Sequence, residues 1–284
     1  MLMKKPLVSV IMNCFNGERF LKEAIDSVYA QSYYNWEIIF WDNGSSDNTA
    51  LIAKSYDDKL RYFSSKNTTS LGLARNEAIE KAKGKYITFL DCDDLYLPDR
   101  IAIQTSAMIN SQTVLSFGSW IEINEFGDII KKHKIQTQSG NLFEQLMKRY
   151  TVNFQTLMLD NDFFKKSKIH FDDNLTFAPD FNIVMQIALN NNVSSLDSYF
   201  AKYRVHSKSM SHTHKQDKYN DYAYNIEILK DKGAGLKSSS FNYFATSMLF
   251  RMKYRDNLNS RNYFSAFIYL IKYLSYAVKN SLIR

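Results

Sequence analysis

The sequence predicts an α/β protein with a mostly parallel central sheet and a C-terminal helical extension. Three observations carry this expectation. Apolar, strand-like runs alternate with amphipathic helical stretches through residues 1–90; each run ends in a polar loop; and the run Lys85–Leu90 drives straight into Asp91, Asp93 and Asp94. Alternation at this spacing calls for parallel strands joined by right-handed crossovers, which place ligands beyond the carboxyl ends of the strands.

Lys5–Met12 reads as a buried strand, and Phe20–Tyr29 as a helix with Leu21, Ala24, Ile25 and Val28 on one face. Trp36–Trp41 is the second strand. Asp42–Asn48, rich in Asn, Ser and Gly, then punctuates the chain and caps a helix over Thr49–Tyr56. Leu60–Ser64 is a third short strand and Leu73–Ala82 a further helix. Downstream, Ser116–Gln138 reads as two strands joined by Asn124–Gly127, with Trp120 near the start. Residues 139–160 hold a helix followed by an apolar strand, Asn153–Leu159, and Lys131–Lys134 is a solvated face.

Three carboxylates within four positions at a strand end form an oxygen-rich cluster. Such a cluster suits a hard divalent cation, Mg²⁺ or Mn²⁺, completed by substrate phosphates. The ordinary alternative is a turn and helix N-cap, with Pro98 and Asp99 opening the next helix.

A chain of 284 residues is long enough for one large α/β domain and a helical tail. Its two cysteines, Cys14 and Cys92, fall in or beside different loops, with neither metal-ligand spacing nor a disulfide framework, so a reduced, cytoplasmic setting is expected. No basic and apolar leader precedes the first strand, and no 18-residue uncharged apolar run occurs. Charge is uneven. Residues 201–284 carry 15 Lys or Arg against 5 Asp or Glu, a net of +10, which leaves residues 1–200 at −3 of the whole-chain +7. Within that tail, Phe241–Lys253 and Tyr263–Leu282 interleave aromatic and aliphatic residues with Arg and Lys. The pattern suits the surface of an anionic membrane leaflet. The alternative is that these helices pack on the α/β domain or on another subunit, giving a homo-oligomer. No nucleic-acid-binding module accompanies the basic segment, so nucleic acid is not an expected partner.

Several segments together resemble family 2 glycosyltransferases, which share the Rossmann-like nucleotide-sugar-binding fold called GT-A. They are Val8–Asn16, Ala30–Tyr33, Asp42–Thr49, Gly72–Asn76, Leu90–Asp94 and Tyr203–Ser211, so the likeness runs from Pro6 to about Ser211. It implies a catalytic domain over 1–215, with a nucleotide-binding half at 1–98 and an acceptor-binding half at 99–215, followed by the basic tail at 216–284. It also implies metal-dependent, inverting transfer of a sugar from a nucleotide-sugar to a hydroxyl of a glycan acceptor. The basic aromatic tail adds that the acceptor is lipid-linked, as in bacterial surface polysaccharide or lipopolysaccharide assembly, with the enzyme peripheral on the cytoplasmic face of the inner membrane.

By this resemblance Asp93 is a direct metal ligand, Asp91 lies near the ribose and the metal, and Asp94 faces the donor sugar. His206 stands near the metal or diphosphate, although His212 and His214 follow closely. Asn13, Phe15 and Asn16 after the first strand, with Asp42 and Asn43 after the second, are placed to bind the base. UDP is the expected nucleotide, with GDP and dTDP as alternatives. Many relatives carry two adjacent acids where this chain has Asp42-Asn43. Arg75 is placed to reach the diphosphate, with Asn76 fixing the loop; the alternative is an exposed helical Arg. Phe177–Ala188 has the form of the family segment in which a Glu-Asp pair precedes a helix, but the Glu position is Pro179. Asp180 is the expected catalytic base, against a helix N-cap role or the competitors Asp172 and Asp173. The hairpin around Asn124–Gly127 would line the acceptor side, and 207–220 would close over the donor as a lid.

Two other classes fit part of this pattern. One is a nucleotide-sugar-binding protein without transfer, for which Pro179 is the hint. The other is a sugar nucleotidyltransferase, which would need a basic Gly-rich first loop, whereas Asn13–Gly17 offers no Lys or Arg before Arg19.

Overall fold

The computed structural model describes residues 5–136, 138–176, 178–207, 209 and 218–281. The chain divides into two compact units: Met1–Gly140 with Val152–Asp173 and Asn191–Ser209, and Asn141–Thr151 with Asn174–Asn190 and Met210–Arg284. The expected lid at 207–220 lies outside the described residues except for 207, 209 and 218–220, as do His212 and His214.

The first unit is built on one nine-stranded sheet. Its strands are β1 (Val8–Cys14), β2 (Trp36–Asp42), β3 (Leu60–Ser64), β4 (Tyr86–Phe89), β5 (Leu95–Tyr96), β6 (Leu115–Ile123), β7 (Ile129–His133), β8 (Met158–Asp160) and β9 (Ser194–Arg204). The order is β3-β2-β1-β4-β8-β6-β9-β5, with β7 paired to β6. Pairings β1–β2, β2–β3, β1–β4 and β6–β9 are parallel, and the remainder are antiparallel. Every residue of β1 and β2 is buried, as expected for parallel strands covered on both faces. The connecting helices are α1 (Leu21–Tyr29), α2 (Thr49–Ala53), α3 (Leu71–Glu80), α4 (Arg100–Ser111) and α6 (Asn161–Ser167). Leu21, Ala24, Ile25 and Val28 of α1 are buried in one core with Val8, Val10, Met12, Ile38 and Phe40.

Register brings the polar loops together. Cys14 of β1 pairs with Asp42 of β2, and Ile11 with Phe89 of β4. The ladder closes with Asn43 N–H donating to Cys14 O at 2.8 Å and Leu90 N–H to Ile11 O at 3.0 Å. Loops 13–17, 42–48 and 90–94 therefore leave the same sheet edge.

Boundaries differ from the sequence reading in ways that local chemistry explains. β1 begins at Val8 because Pro6 has no N–H to give a ladder. α3 begins two residues early because Ser70 caps it, its Oγ accepting from Leu73 N–H at 3.1 Å. α2 stops at Ala53, beyond which the Tyr56 hydroxyl donates to Asp26 on α1 at 2.7 Å. The strand expected over Asn153–Leu159 is a 3-10 turn, Phe154–Thr156, capped by Asn153, and then the short β8.

The second unit is helical: α5 (Phe143–Lys148), α7 (Pro179–Ala188), α8 (Lys218–Asp231), α9 (Ala234–Lys237), α10 (Phe241–Asn259) and α11 (Tyr263–Ser281). α7 buries every residue except Asp180, so it needs helices on all sides, and α5 and α8 pack against it. That demand draws 141–151 and 174–190 into the helical unit, out of the span 1–215 assigned above to one domain. α10 and α11 form an antiparallel hairpin, with Tyr276 stacked on Tyr243 at 5.7 Å. Among the described residues, no helix is long and apolar enough to cross a membrane.

Candidate functional site

The loop after β4 gathers the charge. Asp91 is clamped twice by Gln155 of the 3-10 turn: its N–H donates to Gln155 Oε1 at 2.9 Å, and its Oδ2 accepts from Gln155 Nε2. Its Oδ1 accepts from Arg75 Nη2 at 3.2 Å. Arg75 is buried on α3, its guanidinium 4.0 Å from the Phe154 ring centroid and 5.3 Å from that of Phe171, so the exposed-helix alternative does not hold. Asn76 fixes the same wall by pairing with the Phe171 backbone, at 2.8 and 2.9 Å.

Asp93 meets His206, Oδ2 to Nε2 at 2.9 Å, with Phe20 5.3 Å from the imidazole. Asp94 is buried; its Oδ1 accepts from Arg204 N–H at 2.6 Å while its Oδ2 has no hydrogen-bond partner. Burial, and then the Asp91 charge, push the Asp93 carboxyl up, against the pull of His206. Burial, followed by Asp93 and Asp91, pushes Asp94 well above the usual carboxylate range, with Arg204 opposing. This loop is held short of charge balance.

Among the described residues, no three His, Cys, Asp or Glu side chains form a group able to hold a metal ion. The pair Asp93 and His206 offers one oxygen and one nitrogen ligand, which fits a cation completed by water and substrate phosphates. Asp91, expected in the same set, has both carboxylate oxygens engaged by Arg75 and Gln155.

At the first two strand ends, Asn13 is buried with its Nδ2 unpartnered, and so is Trp41 Nε1. The two residues are register partners, so their side chains share one face of the sheet. Phe15 is 53 % exposed at the mouth. Asn16 adopts φ 52° and ties the loops together, its N–H donating to Ser45 Oγ and its Oδ1 accepting from Ser46 N–H, both at 2.9 Å. Asp42 accepts from Ser45 N–H at 2.8 Å and Tyr62 OH at 2.7 Å. The Asn43 amide is turned onto Thr69, donating to its carbonyl at 2.9 Å and accepting from its N–H at 3.1 Å.

Asp180 lies in the helical unit, at the second position of α7. The N-cap is Ala178, so the carboxylate does not fill that role; it accepts from Tyr150 OH at 3.1 Å. Asp173 accepts from Ser70 Oγ at 2.9 Å beside the start of α3.

Sequence reasoning missed Gln155, Trp41 and Tyr150, which carry no local signal. Arg204 stands inside the quoted Tyr203–His206 segment, yet its role appears only in three dimensions. Cys14 and Cys92 are both free and are neighbours in space: a Cβ at Gly17 would strike both Cys14 Sγ and Cys92 Sγ. β1 and the loop after β4 are neighbours, and that adjacency brings the two thiols together. Cys14, burial and the nearby aspartates push the Cys92 thiol well up.

Comparison with known proteins gives a consistent result. The model of glycosyl transferase family 2 matches residues 9–175. An uncharacterized glycosyltransferase of Rickettsia felis is 34 % identical over 200 residues, covering 70 % of this chain but 33 % of the relative, so the chain spans about a third of that protein's length. The Escherichia coli UDP-Glc:alpha-D-GlcNAc-diphosphoundecaprenol beta-1,3-glucosyltransferase WfgD is 28 % identical, covering 72 % of this chain and 79 % of its own. Among solved structures, Staphylococcus aureus TarS 1–349 in complex with UDP-GlcNAc superposes with a TM-score of 0.70 at 19 % identity, over 88 % of this chain and 72 % of that one. This last likeness concerns the fold.

Proposed function

The chain belongs to glycosyl transferase family 2, and from that premise we propose that it moves a sugar from a UDP-sugar to a hydroxyl of a lipid-linked glycan in surface polysaccharide assembly. The observation that carries the donor half is the Asp93–His206 pair at 2.9 Å, whose acid lies in the loop leaving the same sheet edge as Asn13 and Phe15. The names of WfgD and of the TarS complex, which specify UDP-sugars, support the base; the diphosphoundecaprenol in the first supports the acceptor class.

Asn13 and Trp41 offer two buried donors to carbonyl oxygens of the base, and Phe15 covers its exposed side. Asp42, Asn43 and Asn16 hold the loops that frame the base. Asp93 and His206 would hold Mn²⁺ or Mg²⁺, with Asp91 held nearby by Arg75 and Gln155. Such a cation would supply positive charge against the leaving diphosphate. Arg75 adds a fixed cation on the same side, and Asp94 accepts from a sugar hydroxyl. Asp180 takes the proton from the acceptor hydroxyl as the new bond forms, giving inversion. The protein works at the cytoplasmic face of the inner membrane, where α11 exposes Tyr263, Phe264, Phe267, Ile271 and Leu274.

Calorimetric titration of UDP, GDP and dTDP, with and without Mn²⁺, tests this on wild type and Asp93→Ala. UDP binding that needs Mn²⁺ and disappears in the variant is expected. Binding of none of the three nucleotides under any condition would overturn the proposal.

A further inference from the structure

The Glu expected before Asp180 is absent, and the structure places another group against that carboxylate. Tyr150, just beyond α5, donates its hydroxyl to Asp180 Oδ2 at 3.1 Å. Its ring packs edge-on against Phe181 with centroids 5.0 Å apart, and Phe181 packs in the same manner on Tyr222 of α8 at 4.8 Å. Burial, then the charge of Asp180 and the nearby Tyr222, push the Tyr150 phenol well above the ordinary tyrosine range, so it remains protonated at neutral pH. Among the described residues, the Tyr150 phenol and, from α8, the Tyr222 phenol with Asp221 beside it face Asp180.

The start of α7 has little freedom to turn away. Ala178 N–H donates to Asp221 Oδ2 at 3.2 Å, Asn182 Nδ2 donates to Asn225 Oδ1 at 2.7 Å, and Asn225 Nδ2 donates to Asp221 O at 2.9 Å. Pro179 opens the helix with its φ already fixed and no N–H to leave unpaired. Backbone and hydroxyl together give Asp180 one orientation.

We propose that Tyr150 is the positioning residue for Asp180, taking by a donated hydrogen bond the orienting place that the missing Glu would have held. This rests on the reading of Asp180 as the acceptor-side base. The chemistry differs from that of a paired acid. A second carboxylate would raise the proton affinity of the base, whereas a neutral donor favours its ionised form and fixes the oxygen it touches.

The test uses the full chain with ¹³C-labelled aspartate, the Asp180 resonance being identified by its loss in Asp180→Asn. In Tyr150→Phe, which keeps the ring against Phe181, the Asp180 titration should move about one pH unit upward. The acid limb of UDP release from UDP-glucose or UDP-GlcNAc should move with it, with UDP affinity unchanged. The reciprocal effect leaves Tyr150 in place: in Asp180→Asn the Tyr150 phenol should titrate lower than in wild type. An Asp180 resonance that titrates identically in Tyr150→Phe, or a Tyr150 phenol unmoved in Asp180→Asn, overturns the positioning role. UDP release in Asp180→Asn as fast as in wild type overturns the base reading instead, and the two failures are separately visible.

Discussion

Arg204 donates its backbone N–H to the Asp94 carboxylate at 2.6 Å, while its Nε reaches the Asp93 carbonyl at 2.9 Å. One buried residue therefore braces two consecutive acids. The same guanidinium donates to Glu125 O at 3.2 Å and Glu23 Oε2 at 2.8 Å and lies 4.5 Å from the Phe20 ring centroid. The acid loop, α1 and the β6–β7 turn thus share a single cationic post.

Arg204→Ala removes three side-chain hydrogen bonds and opens a cavity around a side chain that is 2 % exposed. Each lost hydrogen bond costs about 1 kcal/mol and the unfilled volume adds to it, so a loss of about 3–4 kcal/mol in urea unfolding is expected. Arg204→Lys cannot serve three directions and should recover less than half. Stability within about 0.5 kcal/mol of wild type in the Ala variant would show that the post carries no load.

The acid loop makes the metal-free protein pH-sensitive in a defined direction. Asp93 and Asp94 have carboxyls raised in the folded state, so folding is favoured while they are protonated. That stability is fully present below the ordinary Asp range and is lost as pH rises through the raised values. The melting temperature in chelator should therefore fall between mildly acidic and neutral pH, and Asp94→Asn should flatten the fall. Mn²⁺ at about 100 times its Kd should return about 2.7 kcal/mol at neutral pH. A melting temperature in chelator that rises over the same interval would contradict the charge deficit.

Gly17 is confined by two sulfurs. Gly17→Ala would drive its Cβ into Cys14 Sγ and Cys92 Sγ, atoms on β1 and on the acid loop with little room to retreat. A cost of about 1–3 kcal/mol is expected from overpacking. Shortening the obstacle with Cys92→Ala should restore part of it, and the double-variant cycle measures the coupling.

The strands within residues 1–98 were legible because buried parallel strands read as unbroken apolar runs between polar loops. The hairpin was legible from Asn124–Gly127, whose backbone closes with Gly127 N–H donating to Asn124 O at 3.1 Å. What no local pattern announces is a partner far away in sequence. Gln155 clamps Asp91 across 64 positions, and Tyr150 reaches Asp180 across 30. Asn43 illustrates the opposite limit: residue type and loop position suggest a group facing a base, while its hydrogen bonds to Thr69 appear only in the fold. Donors and acceptors are visible in a sequence, whereas their satisfaction is a property of the fold.

The outer face of α11 yields the last prediction. Tyr263, Phe264, Phe267, Ile271 and Leu274 fall on one arc of the helix and are all exposed, while Ala266, off that arc, is buried. The helix carries no Asp or Glu, and the tail from 201 onward holds the net +10. An apolar stripe beside basic side chains suits the boundary of an anionic leaflet, each nearby Lys or Arg adding about 1 kcal/mol. In flotation with phosphatidylglycerol vesicles, the full chain should rise with the lipid at low salt and less so at high salt. Phe264→Glu with Phe267→Glu should abolish flotation without shifting the UDP-binding isotherm. A full chain that ignores these vesicles removes the membrane from the functional reading. If the same chain then dimerises with a midpoint that the double variant weakens, the face belongs to a second copy.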